Sequence, residues 1–242
     1  MDEFKTEYNF PAGEILLFDK DLDWTSFDLV QRVRNVLCRQ LGIKKLKVGH
    51  AGTLDPLATG LMILCTGKAT KKIELVQQKK KVYEATLKLG ATTASFDMET
   101  EEDSRRDISY ITQDYLQKVI QKFEGEIKQV PPVFSAVKVK GKRAFEFARK
   151  GEDLKLQPKI IVINEITQLS FEPPFITLRV TCSKGTYIRA LARDIGKELG
   201  CGAYLTGLRR TQIGDFKVED AMKIDFFMEN LNQFVTKTKN QA

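Results

Sequence analysis

Apolar positions recur along this chain with two periods, and the switches between them outline its elements. Residues 14–18 read as a strand. Ser26 is expected to cap a helix whose stripe is Leu29, Val30, Val33, Leu37 and Leu41, ending at Gly42, with Arg32, Arg34 and Arg39 on its other face. The run 61–65 has the pattern of a fully buried strand, and 69–78 that of a short basic helix. Residues 82–89 alternate, so Tyr83, Ala85, Leu87 and Leu89 share one face and Glu84, Thr86 and Lys88 the other. The acidic, apolar-poor stretch 92–109 reads as a surface loop. A second amphipathic helix runs from Thr112 through Leu116, Val119 and Ile120 to Gly125. Residues 126–158 read as an insertion that opens with Pro131-Pro132 and holds a hairpin-like Val137-Lys138-Val139-Lys140-Gly141-Lys142. Strand and helix patterns then alternate over 159–171, 175–183, 187–199 and 204–216. A terminal helix is expected within 218–242, with Ala221, Ile224, Phe227, Met228 and Leu231 inward. Hairpin-length turns mixed with helices predict an α+β fold, its mixed, mainly antiparallel sheet flanked by helices, in one domain over 1–242.

Composition narrows the class. With 42% hydrophobic and 29% charged residues the chain is neither disordered nor membranous, no apolar run is long enough to span a bilayer, and the polar start argues for a cytoplasmic protein. Four cysteines lack metal-type spacing and His50 is the sole histidine, so no metal site is expected. The net charge of +7 is segregated. Residues 32–47, 68–81 and 128–159 carry +6, +5 and +6, which leaves −10 for the rest. Any one such run is usually a solvated face, but three of them favour a polyanion, and nucleic acid is the expected partner. Phe134, Phe145 and Phe147 interleave with the third run, where the latter two fit base stacking and scaffold packing equally.

Candidate chemistry centres on Gly49-His50-Ala51-Gly52-Thr53-Leu54-Asp55-Pro56-Leu57-Ala58-Thr59-Gly60, where one carboxylate sits in a Gly- and Pro-punctuated loop that opens onto the buried run. Asp before Pro is by itself commonly a turn or helix start. Arg189 stands out differently: it lies in the first turn of the 187–199 helix, against the helix dipole, and so calls for an anionic partner.

The Asp55 loop, Lys81-Val82-Tyr83, residues 129–138 and Cys182-Ser183-Lys184-Gly185-Thr186-Tyr187-Ile188-Arg189 together resemble the bacterial tRNA pseudouridine synthases of the TruB type. The likeness continues through Leu208-Arg209-Arg210-Thr211 and spans roughly residues 14–217. It implies a pseudouridine synthase fold and isomerisation of one uridine, position fifty-five in the T-loop of tRNA, with no cofactor. It also implies roles. Asp55 matches the catalytic carboxylate, Arg189 the arginine paired with it, and Tyr83 the tyrosine against the target base that helps remove the C5 proton. Tyr187 and Leu208 match pocket walls, and His50 the histidine that takes up space beside a flipped base. The insertion resembles an RNA-gripping thumb, so Lys138, Lys140, Lys142 and Arg143, with Lys71, are expected to contact RNA. Whether Asp55 adds to C6, attacks C1′ or takes the C2′ proton stays open.

Asp21-Leu22-Asp23 stands where that family usually has a Pro-x-Gly turn, and 218–242 is too short for the C-terminal PUA domain that members commonly append. A monomer acting on the tRNA T-arm without a guide RNA is therefore expected, with affinity resting on the basic segments. The rival readings are an RNA-binding module that assists tRNA folding without catalysis, and the same chemistry on another RNA.

Overall fold

The computed structural model describes residues 7–135, 137–139, 141–150, 152 and 154–235. The described residues form two compact units, one within 1–79 and 209–242 and one within 80–208.

The first unit opens with β1 (Ile15–Lys20), followed by α1 (Ser26–Leu41), β2 (Val48–His50) and β3 (Ala58–Thr66). β3 pairs antiparallel with β1, Leu16 opposite Leu64, and with β2, Gly49 opposite Cys65. Leu61 to Cys65 are fully buried, as the unbroken apolar run requires. In α1 the expected stripe is buried at Leu29, Val30, Val33 and Leu37, each worth roughly 1.5–3 kcal/mol of transfer free energy. Its cap is Thr25 rather than Ser26. The Thr25 hydroxyl accepts from the Asp28 amide while the Asp28 carboxylate accepts from the Thr25 amide, a reciprocal box at the helix start. Gly42, left-handed at φ 66°, closes the other end. The basic helix expected over 69–78 is instead a 3₁₀ segment (Gly67–Lys72) running into α2 (Ile73–Gln78).

The second unit begins with β4 (Lys81–Leu89), in which every odd-numbered residue is buried, as the alternation predicts. The stretch read as a surface loop carries two paired strands, β5 (Ala91–Thr93) and β6 (Glu102–Arg105), and buries Ser95 and Asp97 between them in sequence. Polar residues reach such depth only with partners: Ser95 meets Thr100 and the Asp97 carbonyl close by, Asp97 accepts from the Glu99 amide, and Arg189 reaches both from far along the chain. α3 (Gln113–Gln121), capped by Thr112, and β7 (Gly125–Gln129) follow. Within the insertion, β8 (Lys138–Val139) pairs with β9 (Lys142–Arg143) ahead of α4 (Ala144–Ala148). β10 (Lys159–Glu172) and β11 (Phe175–Cys182) complete the antiparallel order β4-β11-β10-β7. α5 (Ile188–Leu199) buries Ile188, Leu191, Ile195 and Leu199, and along β12 (Ala203–Ile213) the chain passes back into the first unit at Leu208–Arg209.

There β13 (Phe216–Lys217) pairs with β12. In place of a continuous terminal helix come a 3₁₀ turn (Val218–Asp220) and two short helices, α6 (Ile224–Glu229) and α7 (Leu231–Phe234). Phe227 and Phe234 pack with Tyr8, Phe10 and Phe18 in an aromatic cluster that ties both ends of the described chain to β1. The fold is α+β with antiparallel pairing, and among the described residues no helix is long and apolar enough to cross a membrane.

Candidate active site

The candidate residues divide between the units. His50, Asp55 and Lys71 lie in the first, and the Asp55 loop is held there by its backbone. Ser26, freed from capping α1, accepts from the Leu54 amide at 2.8 Å and donates to the Leu54 carbonyl at 2.9 Å. Arg210, 1% exposed, donates from Nη2 to Gly52 O at 3.1 Å, from Nη1 to Thr53 O at 3.4 Å and from Nε to Leu61 O at 2.8 Å. Lys20, 2% exposed, places its ammonium against the carbonyls of Asp21, Trp24 and Pro56. The Ala58 amide donates to Asp55 O at 3.0 Å. Residues 52, 53, 54 and 56 are thus each tied to a buried or distant group, so a half-buried carboxylate is presented in one pose.

Close packing explains the glycine at the end of that loop. Gly60 has φ +101°, and a Cβ there would meet the Arg210 carbonyl oxygen at 2.3 Å. The departure at Asp21-Leu22-Asp23 also resolves: Asp23 takes the left-handed conformation, φ 64°, that short polar side chains tolerate, and its amide donates to Pro56 O at 3.0 Å. Burial pulls the Lys20 ammonium down to about 8 against the attraction of Asp21 and Asp55, so it is charged at neutral pH and adds positive potential near the loop.

His50 ends β2 opposite Leu64, and its Nδ1 is buried without a hydrogen-bond partner among the described residues. Burial lowers its pKa, against a backbone hydrogen bond at Gly52 and with the help of Arg210, so the ring is neutral at pH 7. Below pH 6.5 the unfolded chain binds a proton that the folded imidazole resists, which costs stability on acidification. As His50 is the only histidine, the parent should lose more in melting temperature between pH 7 and pH 5 than His50→Gln does. Equal losses would contradict the assignment.

In the second unit, Tyr83 is buried on β4 opposite Val180. Arg189, 4% exposed, fans its guanidinium across two segments, the 95–97 stretch and Phe134. Nη1 donates to Ser95 O at 3.1 Å, Nη2 to Phe134 O at 2.9 Å, and Nε lies 3.3 Å from Asp97 Oδ2. The anion that its place in the helix demanded is, within this unit, Asp97. That carboxylate also accepts from the Glu99 amide, so both members of the buried pair are tied to backbone. Tyr187 is the N-cap residue of α5 and makes no side-chain capping hydrogen bond, and buried Gln129 holds its backbone from both sides, accepting from its amide at 2.9 Å and donating to its carbonyl at 3.1 Å. Leu208 is half-buried on β12.

Lys138, Lys142 and Arg143 are exposed on the β8–β9 hairpin, where Lys138 stands directly opposite Arg143; Lys140 lies outside the described residues. Like charges facing across a hairpin are unfavourable unless an anion lies over them. Phe145 is half-buried with the Arg149 guanidinium over its ring at 5.3 Å, and Phe147 is half-buried as well. Lys71 is exposed on the 3₁₀ segment. Among the described residues no cluster of His, Cys, Asp or Glu could hold a metal ion. Sequence pattern does not single out Lys20, Asp97, Gln129 or Arg210, polar types that normally face water and that no local signal marks as buried.

Residues 39–188 match the model of the TruB family pseudouridylate synthase N-terminal domain, and residues 189–241 that of the tRNA pseudouridylate synthase B C-terminal domain. The chain is 58% identical over 225 residues to tRNA pseudouridine synthase B of Phocaeicola vulgatus, a match covering 93% of this chain and 96% of that one. To the protein of the same name from Parabacteroides distasonis it is 55% identical over 233 residues, covering 96% and 99%. Among solved structures, a chain of a Cbf5-Nop10-Gar1 complex is similar at TM-score 0.69 and 28% identity; the match covers 91% of this chain and 54% of that one.

Proposed function

As the chain belongs to the TruB family and isomerises uridine in tRNA to pseudouridine, we propose that its target is the T-loop uridine at position fifty-five and that Asp55 is the carboxylate acting on it. The observation that carries this reading is the loop itself: one acid whose neighbouring backbone is pinned at Gly52, Thr53, Leu54 and Pro56. Preorganisation of this kind is what a step that must hold a detached base requires.

The reaction breaks the N1–C1′ bond and makes a C5–C1′ bond, while C5 gives up a proton and N1 takes one. The formula is unchanged and no electrons leave the substrate. The base must turn over, so the nucleotide is flipped out of its stack at a cost of a few kcal/mol. His50, neutral, fills space beside it; Tyr83 and Arg189 serve the C5 proton and the carboxylate, and Tyr187 and Leu208 wall the pocket. Lys71, Lys138, Lys142 and Arg143 hold the RNA, as does Lys140. On this reading the protein works as a monomer on the tRNA T-arm in the cytoplasm without a guide; the relatives matched over nearly their full length, named tRNA pseudouridine synthase B, support tRNA as its substrate.

Transfer RNA transcribed with 5-tritiated uridine tests this. The protein should release one equivalent of tritium per tRNA, and none when the T-loop uridine is replaced by cytidine. Release that ignores that replacement would redirect the activity to another position, and no release at all would favour a binding-only module.

A further inference from the structure

Phe96 has φ 64°, a left-handed backbone that a bulky aromatic residue takes at a cost and keeps only where its surroundings impose it. It stands between the two residues of this stretch that Arg189 holds, Ser95 by its carbonyl and Asp97 by its carboxylate. A carbonyl and a side chain two residues apart reach one guanidinium only if the chain turns sharply between them, and Phe96 supplies that turn. Its amide donates to Thr93 O at 3.2 Å and its carbonyl accepts from the Leu205 amide at 3.0 Å, which fixes the peptide on each side. Those bonds leave the half-buried ring to be held by other means. Arg193 holds it: the guanidinium lies over the ring, 4.9 Å from its centroid. Four residues beyond Arg189 in α5, Arg193 shares its helix face. The Asp194 carboxylate accepts from Arg193 Nε at 2.8 Å and from Nη2 at 3.1 Å, and Val130 O accepts from Nη2 at 3.1 Å, so the group over the ring is itself fixed. Each arginine thus grips the 95–97 turn and the 130–134 segment at once, Arg189 reaching Phe134 O and Arg193 reaching Val130 O.

We propose that Arg193 and Phe96 are positioning residues for the isomerisation: the guanidinium clamps the ring, the clamp holds the left-handed turn, and the turn presents Ser95 O and Asp97 to Arg189. A long, rotamer-rich side chain keeps one direction only while its acceptors keep theirs. Were the turn to relax to a backbone that phenylalanine prefers, the Ser95 carbonyl and the Asp97 carboxylate would no longer converge, and Arg189 would lose both anchors of this stretch. The inference rests on the reading of Arg189 as serving the acid. Neither Arg193 nor Phe96 is asked to touch the substrate; they act through the geometry of Arg189, where a small misplacement has a large effect on rate. Lys197, one turn further along α5, is exposed and carries the same charge, which makes it the control.

The test measures kcat by tritium release at saturating tRNA, tRNA affinity by filter binding, and melting temperature. It compares the parent with Arg193→Gln, Phe96→Asn, the double variant, Lys197→Gln and Arg189→Lys. Arg193→Gln should lower kcat about tenfold at a temperature where it is folded, with tRNA affinity within about twofold of the parent. Asparagine takes the left-handed backbone readily and needs no clamp, so Phe96→Asn should keep kcat within about threefold, and the double variant should match it rather than Arg193→Gln. A residue that contributes stability alone gives no such rescue. Lys197→Gln should behave as the parent. Parental kcat in Arg193→Gln would overturn the inference, as would weakened tRNA binding at parental kcat, which would make Arg193 a support of the insertion. A double variant as slow as Arg193→Gln would overturn it too, and so would an equal loss in Lys197→Gln. Parental kcat in Arg189→Lys would instead defeat the reading of Arg189, while the melting temperatures of the parent, the two single variants and the double would still judge whether Arg193 holds the turn at Phe96.

Discussion

Asp55→Asn should abolish tritium release, by at least about 10³-fold in kcat, and leave tRNA affinity within about twofold. The amide has the shape of the carboxylate and nearly its hydrogen-bonding reach, so the loop survives: its ties run through the backbone of Gly52, Thr53, Leu54 and Pro56 and through the Ala58 amide to Asp55 O, none of which uses the side chain. What is lost is negative charge and nucleophilicity at one fixed point. Each of the three routes open to the acid, addition to C6, attack at C1′ or removal of the C2′ proton, needs that charge. Affinity is spread over the lysines and is therefore spared. A variant that releases tritium at the parental rate would remove Asp55 from the chemistry. One that loses tRNA binding in step with activity would make it a binding residue.

Arg210→Met should lower both stability and turnover. The guanidinium is almost completely buried and donates to the carbonyls of Leu61, Gly52 and Thr53, and methionine fills much of the volume with no donor. Charged hydrogen bonds contribute about 1.5–3 kcal/mol each, and Leu61 O becomes a buried acceptor without this donor. A net loss of about 3 kcal/mol is expected, seen as a fall in melting temperature of about 6–12 °C. Turnover measured well below that transition should fall about 10- to 100-fold, because two of the lost bonds set the path of the chain into Asp55. Arg210→Lys keeps the charge but cannot span three carbonyls with one ammonium, and it should fall between. Parental kcat in Arg210→Met at a temperature where it is folded would show that the loop holds its pose without this residue.

These two residues differ in how far the chain announced them. Asp55 lies in a motif whose turn residues and apolar sequel can be read directly, and α1, β3 and β4 follow from period and capping in the same way. Arg210 follows an ordinary strand pattern, and nothing local marks it as buried. The same holds for Lys20, Asp97 and Gln129, whose types normally face water. The stretch 92–109 has the acidic, apolar-poor composition of a surface loop, yet it pairs β5 with β6 and delivers Asp97 to Arg189. The helix dipole calls for an anion beside Arg189 but specifies none in particular, and the fold supplies Asp97. The capping exchange at α1 is subtler: Thr25 and Ser26 are equivalent by propensity, and only packing sent Ser26 to Leu54.

By itself the sequence determined the α+β class, the registers of the apolar faces, the three basic segments and the motif that carries the acid, because periodicity, turn chemistry and charge act over a few residues. Only the tertiary structure decided which polar groups are buried to hold that acid, which carboxylate meets Arg189 within its unit, and how the Phe96 ring comes to lie under Arg193. Burial of a charged or amide group is stable only when partners arrive from elsewhere, here Leu61 and Gly52 for Arg210, about 150 residues before it, and no local pattern encodes such a meeting.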